Sequence, residues 1–205
     1  MARVLPSVEQ VLAFPRLAPV LSSTANARGD AVPADASGGT ASLATTIRAA
    51  TGGDQEAFGR LYRDYVRLVH AILLGRVPRL DVDDLVQDVF LTVYSRLREL
   101  RDPAAFGSWI GTIARNRATD FLRQRRPEVE LPADLPGGDA IASESLAVLD
   151  AIRKLPEAYR DTLMLRLVEG MSGNEIAART GLTPASVRVN LHRGMKLLRE
   201  KLECA

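Results

Sequence analysis

The stretch PEVELPADLPGGDAIASES, at residues 127–145, limits what this chain can fold into more than any other segment. It holds five carboxylates and no basic residue, together with three prolines and a glycine pair. Proline removes a helical hydrogen bond and this composition offers little to bury, so the stretch cannot continue a helix. It therefore predicts a flexible acidic linker between two folded parts.

The composition on either side of this linker indicates two small helical domains. Residues 46–126 carry 14 basic and 10 acidic side chains and show helical periodicity in four stretches, and residues 146–205 carry 10 and 7. No segment alternates β-branched and polar residues between hairpin turns, so the predicted fold class is all-α. Residues 1–45 are rich in Ala, Ser, Gly and Pro, and we expect a mostly disordered tail there.

Several classes of protein do not fit the composition. The single cysteine, Cys204, excludes an internal disulfide framework and a cysteine-based zinc module, and it fits a cytoplasmic location. No run approaches the ~18 apolar residues of a membrane span, so we expect no membrane insertion. With only His70 and His192 and no glycine-rich phosphate loop, we expect neither an enzyme nor a bound cofactor or metal.

The clearest local motif lies between Ser172 and Leu202. Gly181 can take the left-handed conformation that ends a short helix, Thr183 can cap the next helix, and Pro184 suits its first position. This pattern predicts a helix-turn-helix, with a core shared by both helices and formed by Ile176, Leu182, Val187 and Leu191. The outward face of the second helix is strongly cationic, which favours DNA binding over a merely solvated surface. Gly194 weakens that helix by about 1 kcal/mol relative to alanine.

Two further segments in the first domain are informative. In LDVDDLVQDVFLTVYSRLREL, Asp81 is the predicted helix cap, and a buried stripe is predicted at Leu85, Val89, Phe90, Val93 and Leu97. The clustered aspartates lie at a helix start, where negative charge is already favourable, so we interpret them as a docking patch for a basic partner rather than a metal site. In DPAAFGSWIGTIARNRATDFLRQRRP, arginines alternate with aromatics, as in proteins that hold single-stranded nucleic acid, although Trp109 is better explained as a core residue.

Taken in order, these segments resemble a bacterial sigma factor of the extracytoplasmic-function (ECF) group. DVDDLVQDVFLTVYSRL is similar to region 2.2, FGSWIGTIARNRATDFLRQRR to regions 2.3 and 2.4, and the segment from Leu155 to Leu202 to region 4. The resemblance implies region 2 at 46–126, an acidic linker at 127–145 and region 4 at 146–205. It also implies that core RNA polymerase docks on region 2.2, including Asp84, Leu85, Gln87, Asp88 and Phe90.

The resemblance further implies where promoter DNA is bound. The melted minus-10 element would lie on a helix that carries the family's Arg-Asn-x-x-x-Asp-x-x-Arg pattern, with binding residues Arg115, Asn116, Arg117, Asp120, Arg123 and Arg126. The minus-35 duplex would be bound by the second helix of the motif, through Ser186, Arg188, Asn190, His192, Arg193 and Lys196. An anti-sigma factor is a further candidate partner. The alternative is a stand-alone helix-turn-helix regulator that needs no polymerase.

Overall fold

The computed structural model describes residues 39–124 and 140–203. Every regular element within those ranges is helical, which confirms the predicted fold class. The helices are α1 (Gly39–Thr51), α2 (Gln55–Leu74), α3 (Val82–Arg96), α4 (Phe106–Gln124), α5 (Ala140–Arg153), α6 (Glu157–Leu163), α7 (Gly173–Thr180) and α8 (Pro184–Glu203). A π-helical turn over Met164–Val168 extends α6, and short 3₁₀ turns cover Arg79–Asp81, Leu97–Glu99 and Pro103–Ala105.

Two helices begin earlier than the composition indicates. Helix α1 starts at Gly39 and packs Ile47 and Ala50 into the core, so residues 39–45 are not part of the tail. Helix α5 starts at Ala140, so residues 140–145 are helical rather than linker. The prolines and glycines of the linker all lie upstream of residue 140, and nothing after them prevents a helix. The other linker and tail residues lie outside the described ranges.

Helices α1 to α4 form the first domain, with α2 packed against the other three. Asp54 begins α2 by accepting hydrogen bonds from the backbone N–H groups of Glu56 and Ala57, at 2.9 and 3.0 Å. Phe106 is fully buried with its ring centroid 4.7 Å from that of Tyr65, and Trp109 packs half-buried beside it, as a core role predicts.

The prediction that Asp81 caps α3 is only half right. Asp81 occupies the N-cap position, but its side chain accepts no capping hydrogen bond. The reason is the 3₁₀ turn that ends at Asp81 and holds its backbone in a helical conformation, φ −96° and ψ −5°. Side-chain capping normally needs an extended N-cap residue.

Helices α5 to α8 form the second domain, in which α8 packs on α5, α6 and α7. Helix α8 buries Val187, Leu198 and Leu202. Gly194 is also buried, because a Cβ atom there would lie 3.1 Å from both Tyr159 Cβ and Leu163 Cδ1 of α6. The glycine that lowers helix propensity therefore permits the close approach of α6 and α8.

The two domains are in contact rather than separated. Helix α4 packs on α7, and α2 packs on the π-helical turn and on α7. The buried apolar residues of both domains form one continuous cluster. The contacts between the domains place charged side chains of the first domain against carboxylates of the second, and these pairs shape the candidate sites below.

Candidate nucleic-acid and protein interfaces

The turn between α7 and α8 is fixed by local hydrogen bonds, as the sequence predicts. Gly181 adopts φ 76° and donates its N–H to the Ala177 carbonyl at 3.0 Å. Thr183 Oγ1 accepts the Ser186 N–H at 3.1 Å, and Pro184 is the first residue of α8. These contacts set the angle at which α8 leaves the turn, and hence which of its side chains face solvent.

The start of α7 carries a capping box that we did not predict, although its Ser-x-x-Glu signature is present in the sequence. The Ser172 hydroxyl accepts the Glu175 N–H at 3.2 Å, and the Ser172 N–H donates to Glu175 Oε2 at 2.7 Å. The hydrogen bond from the Ser172 backbone, followed by that from its hydroxyl, lowers the pKa of Glu175. The carboxylate therefore stays charged at the helix N-terminus, where the helix dipole favours it.

Helix α8 presents the predicted polar surface to solvent. Val187 is buried and Leu191 is half-buried. Asn190 is partly exposed, and the other predicted minus-35 residues are fully exposed: Ser186, Arg188, His192, Arg193 and Lys196. Within the described ranges, no basic side chain of α8 forms an ion pair. The prediction for Leu182 is wrong, because it is 39% exposed. It lies in the turn, where the helical repeat does not orient it.

The predicted minus-10 residues on α4 fall into two groups: some form ion pairs with carboxylates of other helices, and the others are exposed to solvent. Arg115 contacts two carboxylates of the second domain, with Nη1 3.2 Å from Asp161 and Nε 3.3 Å from Glu157. Asn116 is exposed, and Asp120 and Arg123 lie 3.9 Å apart on the same exposed surface. Arg126 lies outside the described residues.

An ion pair links α4 to the predicted polymerase-docking helix, α3. Arg117 donates from Nε and Nη2 to the same oxygen of Asp88, at 3.1 and 2.5 Å, and both side chains are partly exposed. A charge-assisted pair of this geometry orients the guanidinium as well as neutralising it. Asp88 is therefore committed to α4 rather than free on the surface of α3.

Helix α3 does not expose all the residues predicted to dock. Asp84 and Gln87 are exposed, but Leu85 and Phe90 are 3% and 4% exposed and pack in the core. The predicted buried stripe already contained both residues, and the structure confirms the stripe. Their docking role is wrong, because a side chain that fills the interior of the domain cannot also contact a partner.

Known proteins match both domains in the same order. Residues 61–128 match the family described as sigma-70 region 2, and residues 145–198 match sigma-70 region 4. CarQ, an RNA polymerase sigma factor of Myxococcus xanthus, is 33% identical over 159 residues, which cover 73% of this chain and 91% of CarQ. The ECF RNA polymerase sigma-E factor of Escherichia coli K12 is 32% identical, with 74% of this chain and 89% of that protein covered. The chain belongs to the ECF group of the sigma-70 family.

A solved structure of CnrH, in complex with the cytosolic domain of CnrY, is similar to this sigma factor as well. The TM-score is 0.55 at 30% identity, and the match covers 80% of this chain and 98% of that one. As a sigma factor, the chain directs RNA polymerase to promoters to initiate transcription. The alternative of a stand-alone regulator is wrong, because such a protein would have region 4 without region 2.

The surface of region 2.2 has an apolar component that we did not predict. Leu80, Leu91 and Tyr94 are 95%, 68% and 54% exposed. Leu91 and Tyr94 lie on α3 with the exposed Asp84 and Gln87, and Leu80 lies in the 3₁₀ turn that precedes the helix. We call these five residues the docking stripe. From Asp84 to Tyr94 the spacing of 3, 4 and 3 residues is the α-helical repeat, so this side of α3 was visible in the sequence.

Neither a metal cluster nor a membrane span is found in the described part of this sigma factor. No three His, Cys, Asp or Glu side chains there come together to hold a metal ion. No helix among the described residues is long and apolar enough to cross a membrane.

Proposed function

We propose that this sigma factor uses three separate surfaces. The docking stripe on α3 binds core RNA polymerase, the exposed side of α4 holds the melted minus-10 strand, and α8 enters the major groove of the minus-35 element. The observation that carries the proposal is the α8 surface, where five basic side chains have no ion-pair partner among the described residues. Unpaired cations on one helix face are the electrostatic requirement for binding duplex DNA.

The docking stripe has the composition of a protein interface rather than of a DNA-binding surface. Exposed apolar side chains that lie together mark contact sites, since isolated ones are ordinary on any surface. Leu91 and Tyr94 supply the apolar centre, and Asp84 supplies a negative charge at its edge. This arrangement fits a partner surface with an apolar centre and a basic rim.

For the minus-10 element, the proposal relies on the exposed group of α4 residues. Asn116 and Arg123 face solvent and can contact an unstacked base and its phosphate. Arg117 is already oriented by Asp88, so it offers a prearranged guanidinium that is only partly available. These contacts bind and separate strands without making or breaking covalent bonds, so we propose no enzymatic activity for the chain itself.

For the minus-35 element, Arg188 and Arg193 are the proposed base readers, with Lys196 on the phosphates. Arginine can donate two hydrogen bonds to one guanine edge in the major groove, which discriminates against other bases by about 1–3 kcal/mol. Ser186, Asn190 and His192 lie on the same part of the helix and contribute further polar contacts.

We also propose that the chain acts in the cytoplasm with the polymerase and is regulated by an anti-sigma factor. The similarity to CnrH, whose structure was solved with the cytosolic domain of CnrY, supports a regulatory protein partner. A direct test is to find whether this chain recruits polymerase to DNA at all. Purified full-length chain and bacterial core polymerase should co-elute on a sizing column at moderate salt and then support promoter-dependent transcription.

The docking stripe is tested with a matched pair of leucine variants. Leu91→Ala removes an apolar contact from the stripe, whereas Leu146→Ala truncates a leucine on α5 that is 48% exposed and outside it. We expect at least about a tenfold loss of core polymerase affinity for Leu91→Ala, the effect typical of a central interface residue, and none for the control. Equal affinities for both variants would refute the stripe.

A further inference from the structure

Helix α8 carries an apolar side chain that the packing of region 4 leaves exposed. Val189 is 45% exposed, and no other large apolar residue of α8, all of which the structure describes, is exposed. Two positions earlier, Val187 is 1% exposed and packs in the core. Successive residues of an α-helix are ~100° apart, so the two valines lie on nearly opposite sides of α8. Val189 therefore points away from the core.

The side of α8 that carries Val189 is the side proposed to enter the major groove. Residues three, four or seven positions apart lie on one face of an α-helix. Around Val189, such positions are occupied by exposed residues that are all predicted to bind the minus-35 element: Ser186, His192, Arg193 and Lys196. An apolar side chain thus lies in the middle of an otherwise polar and cationic face.

Helix stability does not account for a valine at position 189. Valine is β-branched and loses rotamer freedom against the preceding helical turn, so it is a weaker helix former than alanine or lysine. At Val187 this loss is offset by packing in the core, but the exposed Val189 has no such compensation. A single exposed apolar residue is ordinary on most of a protein surface. On a face that lies in the major groove, however, it meets the edge of a base.

The major groove offers an apolar side chain only one matching group, the C5-methyl of thymine. All other groups on the base edges there are hydrogen-bond donors or acceptors. A valine placed against one of those would remove water from it without replacing the lost hydrogen bond, which is unfavourable. Contact with a thymine methyl instead buries apolar surface on both partners.

We propose that Val189 selects a thymine in the minus-35 element by packing on its C5-methyl group. This inference rests on the proposed binding of α8 in the major groove, and it adds a base preference that the polar residues of the helix do not supply. Val189 is then a specificity-determining residue, because it favours one of the four base pairs and contributes no attraction to phosphate.

The helix geometry also predicts where this thymine lies. Arg193 follows Val189 by four residues on the same face, and at 1.5 Å per residue the two positions are ~6 Å apart along α8. Stacked base pairs are ~3.4 Å apart. We therefore expect the thymine within about two base pairs of the pair that Arg193 contacts.

The test uses holoenzyme assembled from the full-length chain and bacterial core polymerase. Promoter sequences are selected from a random duplex pool by binding to the wild-type holoenzyme. The selected promoter is then synthesised with deoxyuridine in place of thymidine at one minus-35 position at a time, which removes only the C5-methyl group. Affinities are compared at one fixed salt concentration, because binding to DNA depends strongly on salt.

For the wild type, deoxyuridine at one minus-35 position should weaken binding about fourfold, which corresponds to the ~0.8 kcal/mol of one buried methylene-sized group. Val189→Ala should bind the thymine promoter more weakly, and its preference for thymine over deoxyuridine should fall below about twofold. Val189→Ile keeps a branched apolar side chain and should retain the preference. Leu146→Ala is the matched control, since it truncates a 48% exposed leucine on α5, away from α8.

The possible results distinguish this inference from the proposed function. Equal wild-type affinity for thymine and deoxyuridine at every minus-35 position would overturn the inference, and so would a selected minus-35 element without thymine. A wild-type preference that persists in Val189→Ala would show that another residue contacts the methyl group. All three results leave minus-35 binding by α8 in place. If the wild-type holoenzyme selects no minus-35 sequence at all, the proposed function itself is wrong.

Discussion

Replacing Gly194 by alanine should destabilise region 4 even though alanine is the better helix former. In an exposed helix interior the change stabilises by about 1 kcal/mol. At Gly194 the new Cβ would lie 3.1 Å from Tyr159 Cβ, which is fixed to the backbone of α6, and 3.1 Å from Leu163 Cδ1 in the core. Helices α6 and α8 would have to move apart, and overpacking of this kind costs about 1–3 kcal/mol. The net effect is a destabilisation of roughly 0 to 2 kcal/mol.

Gly59→Ala provides the matched control for this prediction. Gly59 lies inside α2, and a Cβ there would meet only Arg63 Nη1, at 3.6 Å. Gly59→Ala should therefore benefit from the higher helix propensity of alanine without a clash, and it should stabilise the folded protein by about 0.5–1 kcal/mol. Urea and thermal unfolding of the two full-length variants, monitored by circular dichroism, would measure the difference in their stability. Each kcal/mol should shift the melting temperature by about 2–4 °C. An equal stabilisation of both variants would refute the packing argument.

Three further predictions concern binding and pH. Arg188→Ala should weaken promoter binding by about 1–3 kcal/mol without changing affinity for core polymerase, as measured by titrating holoenzyme on promoter DNA. Asp84→Arg should weaken docking by like-charge repulsion, and the defect should shrink at high salt, where exposed charges are screened. Because the folded-state pKa of Glu175 is lowered, its stabilising effect is present above the unfolded value of about 4.3 and is lost as pH falls through the folded value. Urea midpoints of wild type and Glu175→Gln should therefore converge in acid.

The features that could be predicted from the sequence are those set by neighbouring residues. Gly181, Thr183 and Pro184 act within a few residues of their own positions, and each has its predicted role in the turn. The apolar period of α3 likewise predicted which residues are buried. It also marked the exposed side that carries Leu91 and Tyr94, although the family resemblance led us to assign docking to Leu85 and Phe90 instead.

The contacts that could not be predicted join residues far apart in the chain. Asp88 pairs with Arg117 across 29 positions, and Arg115 pairs with Asp161 across 46. A count of charges in each segment makes both arginines look free to bind DNA, because it does not show which carboxylate each one meets. Tertiary packing alone decides that, and here it commits two of the predicted minus-10 residues to other helices.

The arginines of α4 that form ion pairs and the unpaired basic side chains of α8 should respond differently to salt when they bind DNA. The basic side chains of α8 have no carboxylate partner among the described residues, so the contact with DNA that we propose for them would release counterions without first breaking an ion pair. An arginine such as Arg115 must first leave Glu157 and Asp161, so part of its attraction to phosphate only replaces an existing ion pair. Added salt screens the phosphates and the ion pairs alike. Minus-35 binding by α8 should therefore depend more steeply on salt than minus-10 binding by α4, for which we propose that specificity comes from Asn116 and from the unstacking of a base.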